Sequence, residues 1–236
     1  VHWCAAPTLQ LPDHLTRLTS FEGRWSNEFQ RRDIDLFLGS FLRENRKGKT
    51  SHDNFPALLL HSPHTGEQQG ECYGFHLGWS GNHRTRLELL ADGRSYLQMG
   101  ELLLPGELAL QPGQSYQSPT LYASYAADGF SALSRNFHRF VRQQLLSKAQ
   151  RQKPRPVHYN TWEGIYFNHD VATLKQLAEV VAELGVERFV LDDGWFQGRH
   201  SDRAALGDWW PDPAKYPDGL QPLARHVNQL GMEFGL

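Results

Sequence analysis

Cysteine is almost missing: Cys4 and Cys72 are the only two in 236 residues, far apart and without metal or redox spacing. That excludes a disulfide-stapled scaffold and points to a reducing compartment, so a cytoplasmic location is expected. No Asn-x-Ser/Thr acceptor occurs, in keeping with that expectation. No apolar run approaches the roughly 20 residues needed to span a bilayer, and no secretory leader is visible. The chain opens on Val1 and closes on Leu236 inside an apolar run, so both ends read as cut and the missing leader decides little. Charge of one sign is lacking too. The formal net charge is −2, from 24 basic and 26 acidic residues scattered along the chain. That leaves no footprint for nucleic acid or an anionic membrane. The densest basic run, residues 43–49 (RENRKGK), reads as a solvated loop around Gly48.

Several chemical motifs are absent as well. No G-x-G-x-x-G follows a strand, and no phosphate-binding P-loop is present. There is no H-E-x-x-H or comparable metal pattern, although histidines number 12. His61 and His64 are expected in a turn. No G-x-S-x-G elbow occurs, which removes that type of serine hydrolase. Neither a metal nor another cofactor is expected.

What is present changes character near residue 130. Before it, period-two alternation dominates, as in Tyr73, Phe75, Leu77 and Trp79 and again across residues 84–90. Asp92-Gly93 then predicts a two-residue hairpin turn. Further breaks fall at His64-Thr65-Gly66, Ser80-Gly81-Asn82 and Pro112-Gly113. Short strands at this spacing predict an antiparallel β-sandwich over residues 1–128, incomplete at its amino end. From Gly129 the spacing turns helical, through Phe130, Leu133, Phe137, Phe140, Val141 and Leu145, an aromatic stripe expected to be core. With the basic, proline-containing stretch 147–156 it forms a linker helix and linker over residues 129–156.

Residues 157–236 alternate strand and helix. Strands are expected at 157–160, 186–191 and 232–236. One helix carries Val171, Leu174, Leu177, Ala178, Val181 and Leu184, capped by Asp170 and stopped by Gly185. A second carries Leu220, Leu223, Ala224, Val227 and Leu230, ended by Gly231. This order implies a parallel sheet with right-handed crossovers, either doubly wound or closed as a barrel.

In either architecture ligands bind at the carboxyl ends of the strands. Asn160-Thr161-Trp162-Glu163 ends the first strand there. Asp192-Asp193-Gly194-Trp195-Phe196 ends the second, and a long loop follows with Asp202, Asp208, Trp209, Trp210 and Asp212. Indole beside carboxylate suits a sugar: the apolar face of a pyranose stacks on the ring, and carboxylates accept from its hydroxyls. The plainer reading makes the tryptophans plugs and the aspartates helix caps, but the whole set at two adjacent strand ends favours a carbohydrate site. Asp192 and Asp193 cannot easily be the two carboxyls of a retaining glycosidase. Those stand roughly 5–5.5 Å apart on opposite sides of the scissile bond, whereas neighbouring residues diverge from one short piece of backbone. They suit a clamp on adjacent hydroxyls.

These segments resemble glycoside hydrolase family 36, the α-galactosidases. The resemblance rests on Asn160-Thr161-Trp162-Glu163 with Tyr166-Phe167, on Phe189-Val190-Leu191-Asp192-Asp193-Gly194-Trp195-Phe196, on Gly207-Asp208-Trp209 and on Gly231-Met232-Glu233-Phe234-Gly235-Leu236. Ser20-Phe21-Glu22-Gly23-Arg24 and Gly70-Glu71-Cys72-Tyr73-Gly74-Phe75 look like the family's amino-terminal sandwich. The likeness runs from about residue 15 to the end. It implies a β-sandwich followed by the N-terminal part of a (β/α)8 TIM barrel, and retaining hydrolysis of terminal α-1,6-linked galactose from melibiose, raffinose and related oligosaccharides. By motif, Asp192 and Asp193 would hold galactose hydroxyls and Trp162 would line that subsite; Trp195 and Asp208 are placed nearby by position. The family's nucleophile and acid/base aspartates belong to later strands, beyond Leu236, so the chain alone is expected to be inactive. A galactosyltransferase of the same family, like raffinose synthase, and a non-catalytic carbohydrate-binding protein are the competing readings. The expected partners are galactose-containing oligosaccharides, with no nucleic acid and no membrane, and a homo-oligomer of the full-length protein stays open.

Overall fold

A computed structural model describes residues 3–5 and 8–236, the first three as backbone alone. The side chain of Cys4 lies outside the described residues, and so does the expectation that the two cysteines stay unpaired. Cys72 is a buried free thiol, its pKa pushed up to about 11 by burial. The chain divides into two compact units, Val1–Arg151 and Gln152–Leu236.

The first unit begins with β1 (Trp3–Ala5), β2 (Leu9–Leu11), β3 (Arg17–Arg24), β4 (Asn27–Asp35) and β5 (Gly39–Asn45). It continues with β6 (Ala57–His61), β7 (Cys72–Leu77), β8 (His83–Leu89), β9 (Ser95–Leu102) and β10 (Leu121–Ala126). One sheet runs β1-β9-β8-β5, with β2 also on β9, and the other runs β10-β7-β6-β3-β4. Every pairing between these strands is antiparallel. Alternation sends one set of side chains between the sheets: Leu18, Leu58, Leu60, Phe75, Leu77, Leu87, Leu97 and Met99 form the core. Each such side chain contributes about 1.5–3 kcal/mol by leaving water.

β7 is covered on both faces. Its Phe75 and Leu77 enter the sandwich core, while Cys72 and Gly74 face helix α1 (Gly129–Phe140). Helix α1, placed with the linker on sequence, lies on this sheet through Phe130, Leu133 and Phe137. A Cβ at Gly74 would come 2.7 Å from the Phe137 ring and 3.1 Å from a Leu133 methyl, so glycine sets how closely the helix approaches. The apolar stripe expected to be core ends sooner than its spacing suggests. Val141 and Leu145 fall in a π-helical turn (Val141–Leu145) and are 39% and 57% exposed. Helix α2 (Lys148–Gln152) adds one exposed turn inside the stretch read as a linker.

Two local expectations are corrected. The β8–β9 connection is not a two-residue turn. Gly93 N donates to Leu90 O at 3.0 Å and Leu90 N to Arg94 O at 2.9 Å, a three-residue loop closed by Gly93 at φ +88°. A type I turn followed by a left-handed glycine is the usual three-residue way of joining two antiparallel strands. His61 is a strand residue, 1% exposed, edge-on to Phe130 with centroids 5.0 Å apart. Its neighbours mark a turn only from Ser62 onward, where Thr65 N donates to Ser62 O.

The second unit holds β11 (His158–Asn160), α3 (Trp162–Ile165), α4 (Val171–Glu183), β12 (Arg188–Val190), α5 (Gln221–Gln229) and β13 (Glu233–Gly235). The three strands are parallel in the order β11-β12-β13, with His158, Arg188 and Glu233 in register. The Asp170 carboxylate caps α4 by accepting from Thr173 N at 2.8 Å. Gly185 (φ +86°) and Gly231 (φ +84°) stop the two long helices where left-handed backbone is needed. Leu174, Ala178 and Val181 of α4 and Leu223 and Val227 of α5 pack with Phe189 of β12 and with Leu191 just beyond it. Among the described residues no helix is long and apolar enough to cross a membrane.

Candidate functional site

Parallel strands bring their carboxyl ends to one side, and hydrogen bonds bind these ends together. Thr161 N donates to Val190 O, Leu191 N donates to Gly235 O, and the buried Thr161 hydroxyl accepts from Asp192 N at 3.0 Å. Asn160 works both ways: its Oδ1 accepts from Trp162 N at 2.8 Å and its Nδ2 donates to Asp192 Oδ2 at 2.5 Å. The other Asp192 oxygen accepts from Asp193 N at 2.6 Å.

The carboxylate of Asp193 is held by a fork. Arg199 Nε donates to Oδ1 at 2.8 Å and Nη2 to Oδ2 at 2.7 Å. The guanidinium lies against the rings of Phe167 and Phe196, 5.5 and 5.6 Å from their centroids, and its Nη1 donates to Ala204 O at 2.7 Å. The Arg199 bond and charge hold Asp193 below the usual carboxylate range, against the opposing effect of burial. Nearby, Lys215 Nζ donates to three main-chain carbonyls, Gly194 at 2.7 Å, Arg199 at 3.0 Å and Phe167 at 3.1 Å. Burial holds its pKa below the ordinary lysine value. Gly194 stands at φ +105°, and a Cβ there would meet His169 Nε2 at 3.1 Å and Phe167 Cα at 3.2 Å.

The loop returns on itself. Gln197 N donates to Trp210 O, and Asp212 N donates to Trp195 O. Asp212 is buried and caps the turn after it, accepting from Ala214 N at 2.8 Å. Burial would raise its pKa, but the amides of Ala214, Gly198 and Lys215 outweigh that and hold it low. His169 Nδ1 and the Tyr216 hydroxyl pair at 2.6 Å beneath the loop.

These contacts shape a cavity of about 400 Å³ lined by Asp192, Asp193, Trp195, Phe196, Leu206 and Trp209, with Leu236 at its edge. The Trp195 and Trp209 ring centroids are 6.3 Å apart at 33°, and Trp209 stays 58% exposed. Of the five residues singled out on sequence, Asp192, Asp193 and Trp195 line this cavity. Trp162 packs edge-on against Tyr166 and Phe167 beside it and reaches Asp192 only through Asn160. Asp208 is exposed in the loop, outside the lining. Arg199 and Lys215 were not foreseen, since nothing in the spacing of a basic residue six positions after an aspartate marks it as a partner. A second cavity, about 420 Å³, lies beneath α1. Its polar groups are already engaged: Arg31 with Asp33, Thr19 with Asp33 and His61, and Glu67 with Ser131.

An antiparallel sandwich is thus followed by parallel β/α units with paired carboxylates and indoles at the strand ends, an arrangement suited to a carbohydrate ligand. The "Glycosyl hydrolase family 36 N-terminal domain" model matches residues 1–111 and the Melibiase model matches residues 115–236. The chain belongs to glycosyl hydrolase family 36, its antiparallel sheets followed by the start of the catalytic domain. It is 52% identical to an α-galactosidase of Escherichia coli over 231 residues, covering 98% of this chain and 32% of that protein. It is 38% identical over 214 residues to α-galactosidase AgaA of Geobacillus stearothermophilus, covering 91% of this chain and 29% of that one. The crystal structure of AgaA superposes with a TM-score of 0.90 at 36% identity, over 97% of this chain and 32% of that one. The Lactobacillus brevis α-galactosidase structure also gives 0.90, at 35% identity over 97% and 31% of the two chains. The chain thus spans about a third of the length of the curated relatives it matches.

Proposed function

We propose that the whole protein is an α-galactosidase that removes terminal α-1,6-linked galactose from raffinose-type oligosaccharides with retention of configuration, working in the cytoplasm. The observation that carries this reading is the single cavity at the strand ends, where Asp192 and Asp193 meet Trp195 and Trp209. Variants of the AgaA relative were crystallised with stachyose and with raffinose. A pyranose places its apolar face on an indole and its hydroxyls toward ionised carboxylates. Asp192 and Asp193 are both tied to protein donors and stem from one strand end, so their part is to hold the sugar. Trp162 and Asp208 stand further out and would meet it only at its edge. The two carboxyls that break the bond come from other strands of the barrel, on either side of the anomeric carbon.

In the whole protein, Asp193→Asn is expected to lower kcat/KM by a factor on the order of 10². A hydrogen bond to a charged group contributes about 1.5–3 kcal/mol, and lost positioning adds to that. Release of galactose from raffinose gives the measurement; a rate within about threefold of wild type would remove Asp193 from the site. Product anomers followed by proton NMR separate retention from inversion.

A further inference from the structure

We infer that Arg199 is a positioning residue: it holds the Asp193 carboxylate from behind, so that its cavity-facing edge accepts hydroxyl hydrogens of the bound sugar. This rests on the proposed sugar-holding role of Asp193 and names the residue that makes that role work. The carrying observation is an asymmetry across one ion pair. The Arg199 side chain is 6% exposed, whereas that of Asp193 is 26% exposed and lines the cavity. The guanidinium does not line the cavity, so it acts on a ligand only through the carboxylate.

An ionised carboxylate offers about four lone-pair directions. The fork of Arg199 takes one on each oxygen, fixing the plane of the group; the Gly194 amide acts on the carboxylate as well, and the acceptor capacity left over is open to an incoming O–H donor. The fork is itself rigid. Phe167 and Phe196 flank it, Ala204 O takes the remaining nitrogen, and Lys215 ties down the Arg199 carbonyl. Lysine could supply the charge at this place but not the two parallel bonds. The same pair keeps Asp193 ionised, and so an acceptor only, to lower pH than an unpaired carboxyl.

The test is a double-mutant cycle on kcat/KM in the whole protein, with Arg199→Met, Arg199→Lys and Asp193→Asn. Arg199→Met is expected to lose about 10- to 100-fold, mainly through KM, and to move the acid limb of kcat/KM to higher pH. Arg199→Lys is expected to fold and to recover only part of the loss. With Asp193→Asn already present, Arg199→Met should cost less than about threefold more, because the residue it acts through is gone. Independent, multiplicative losses would overturn the inference while leaving the sugar-holding role of Asp193 intact. So would an Arg199→Lys enzyme of wild-type kcat/KM and pH profile, or failure of both Arg199 variants to fold, which would make the pair a structural staple. A silent Asp193→Asn would remove the role of Asp193 and this inference together.

Discussion

The half-buried ammonium of Lys215 donates to three carbonyl oxygens, with the Asp212 and Asp193 carboxylates near enough to act on it by charge. Each bond from a charged donor is worth about 1.5–3 kcal/mol, and each carbonyl left bare costs part of that back. Lys215→Met is therefore expected to lower unfolding stability by on the order of 3 kcal/mol. Urea unfolding of the chain measures it; a loss below about 1 kcal/mol would mean that water replaces the ammonium without cost. The residues that touch the cavity and those that hold them differ in how they read on sequence. Asp192, Asp193 and Trp195 are visible because carboxylate and indole at a strand end have few other uses. Arg199 and Lys215 look like two more surface cations among the 24 basic residues. Their partners are carbonyls and a carboxylate that only the returning loop brings near.

At the scale of elements, α1 lies on β7 because Gly74 leaves room for it. Gly74→Ala would push a methyl into Phe137 and Leu133, and overpacking of this kind costs about 1–3 kcal/mol. Thermal unfolding should register a lower midpoint, and an unchanged midpoint would show that the helix moves outward freely. The three strands and two long helices of the second unit are plain from their spacing, down to the Asp170 cap and the Gly185 and Gly231 stops, whereas the single turn of α3 carries no such signal. The failures were short-range. Asp92-Gly93 satisfies two hairpin geometries at once, and which forms depends on where the flanking strands pair, here Leu89 with Ser95. Val141 and Leu145 continue a helical stripe whose backbone widens to a π-turn, which swings them toward solvent.

Across the whole molecule, histidines are the acid-sensitive element. Burial holds His61, His76, His83 and His169 below their ordinary value of 6.5. Below that pH the unfolded chain takes up protons that the folded chain refuses, so stability is complete above 6.5 and falls as the pH drops through the gap toward the folded values. The slope is at most about 1.4 kcal/mol per pH unit for each such histidine. Urea midpoints should fall steadily between neutral pH and about pH 5, before most carboxylates titrate. A flat profile would mean that these rings take up protons in the fold as readily as in the unfolded chain.

The amino-acid order alone determined the succession of sandwich and β/α units and the family, because periodicity, caps and a dense strand-end motif are local properties of the chain. It also determined which carboxylates and indoles stand at the strand ends. Tertiary structure decided which of these share one hollow, separating Trp195 from Trp162 and Asp193 from Asp208. It decided too that a hidden guanidinium stands behind Asp193. A cavity and a buried ion pair are made by residues that meet only after a loop closes, and the energy of that closure is spread over contacts that no short stretch of sequence contains.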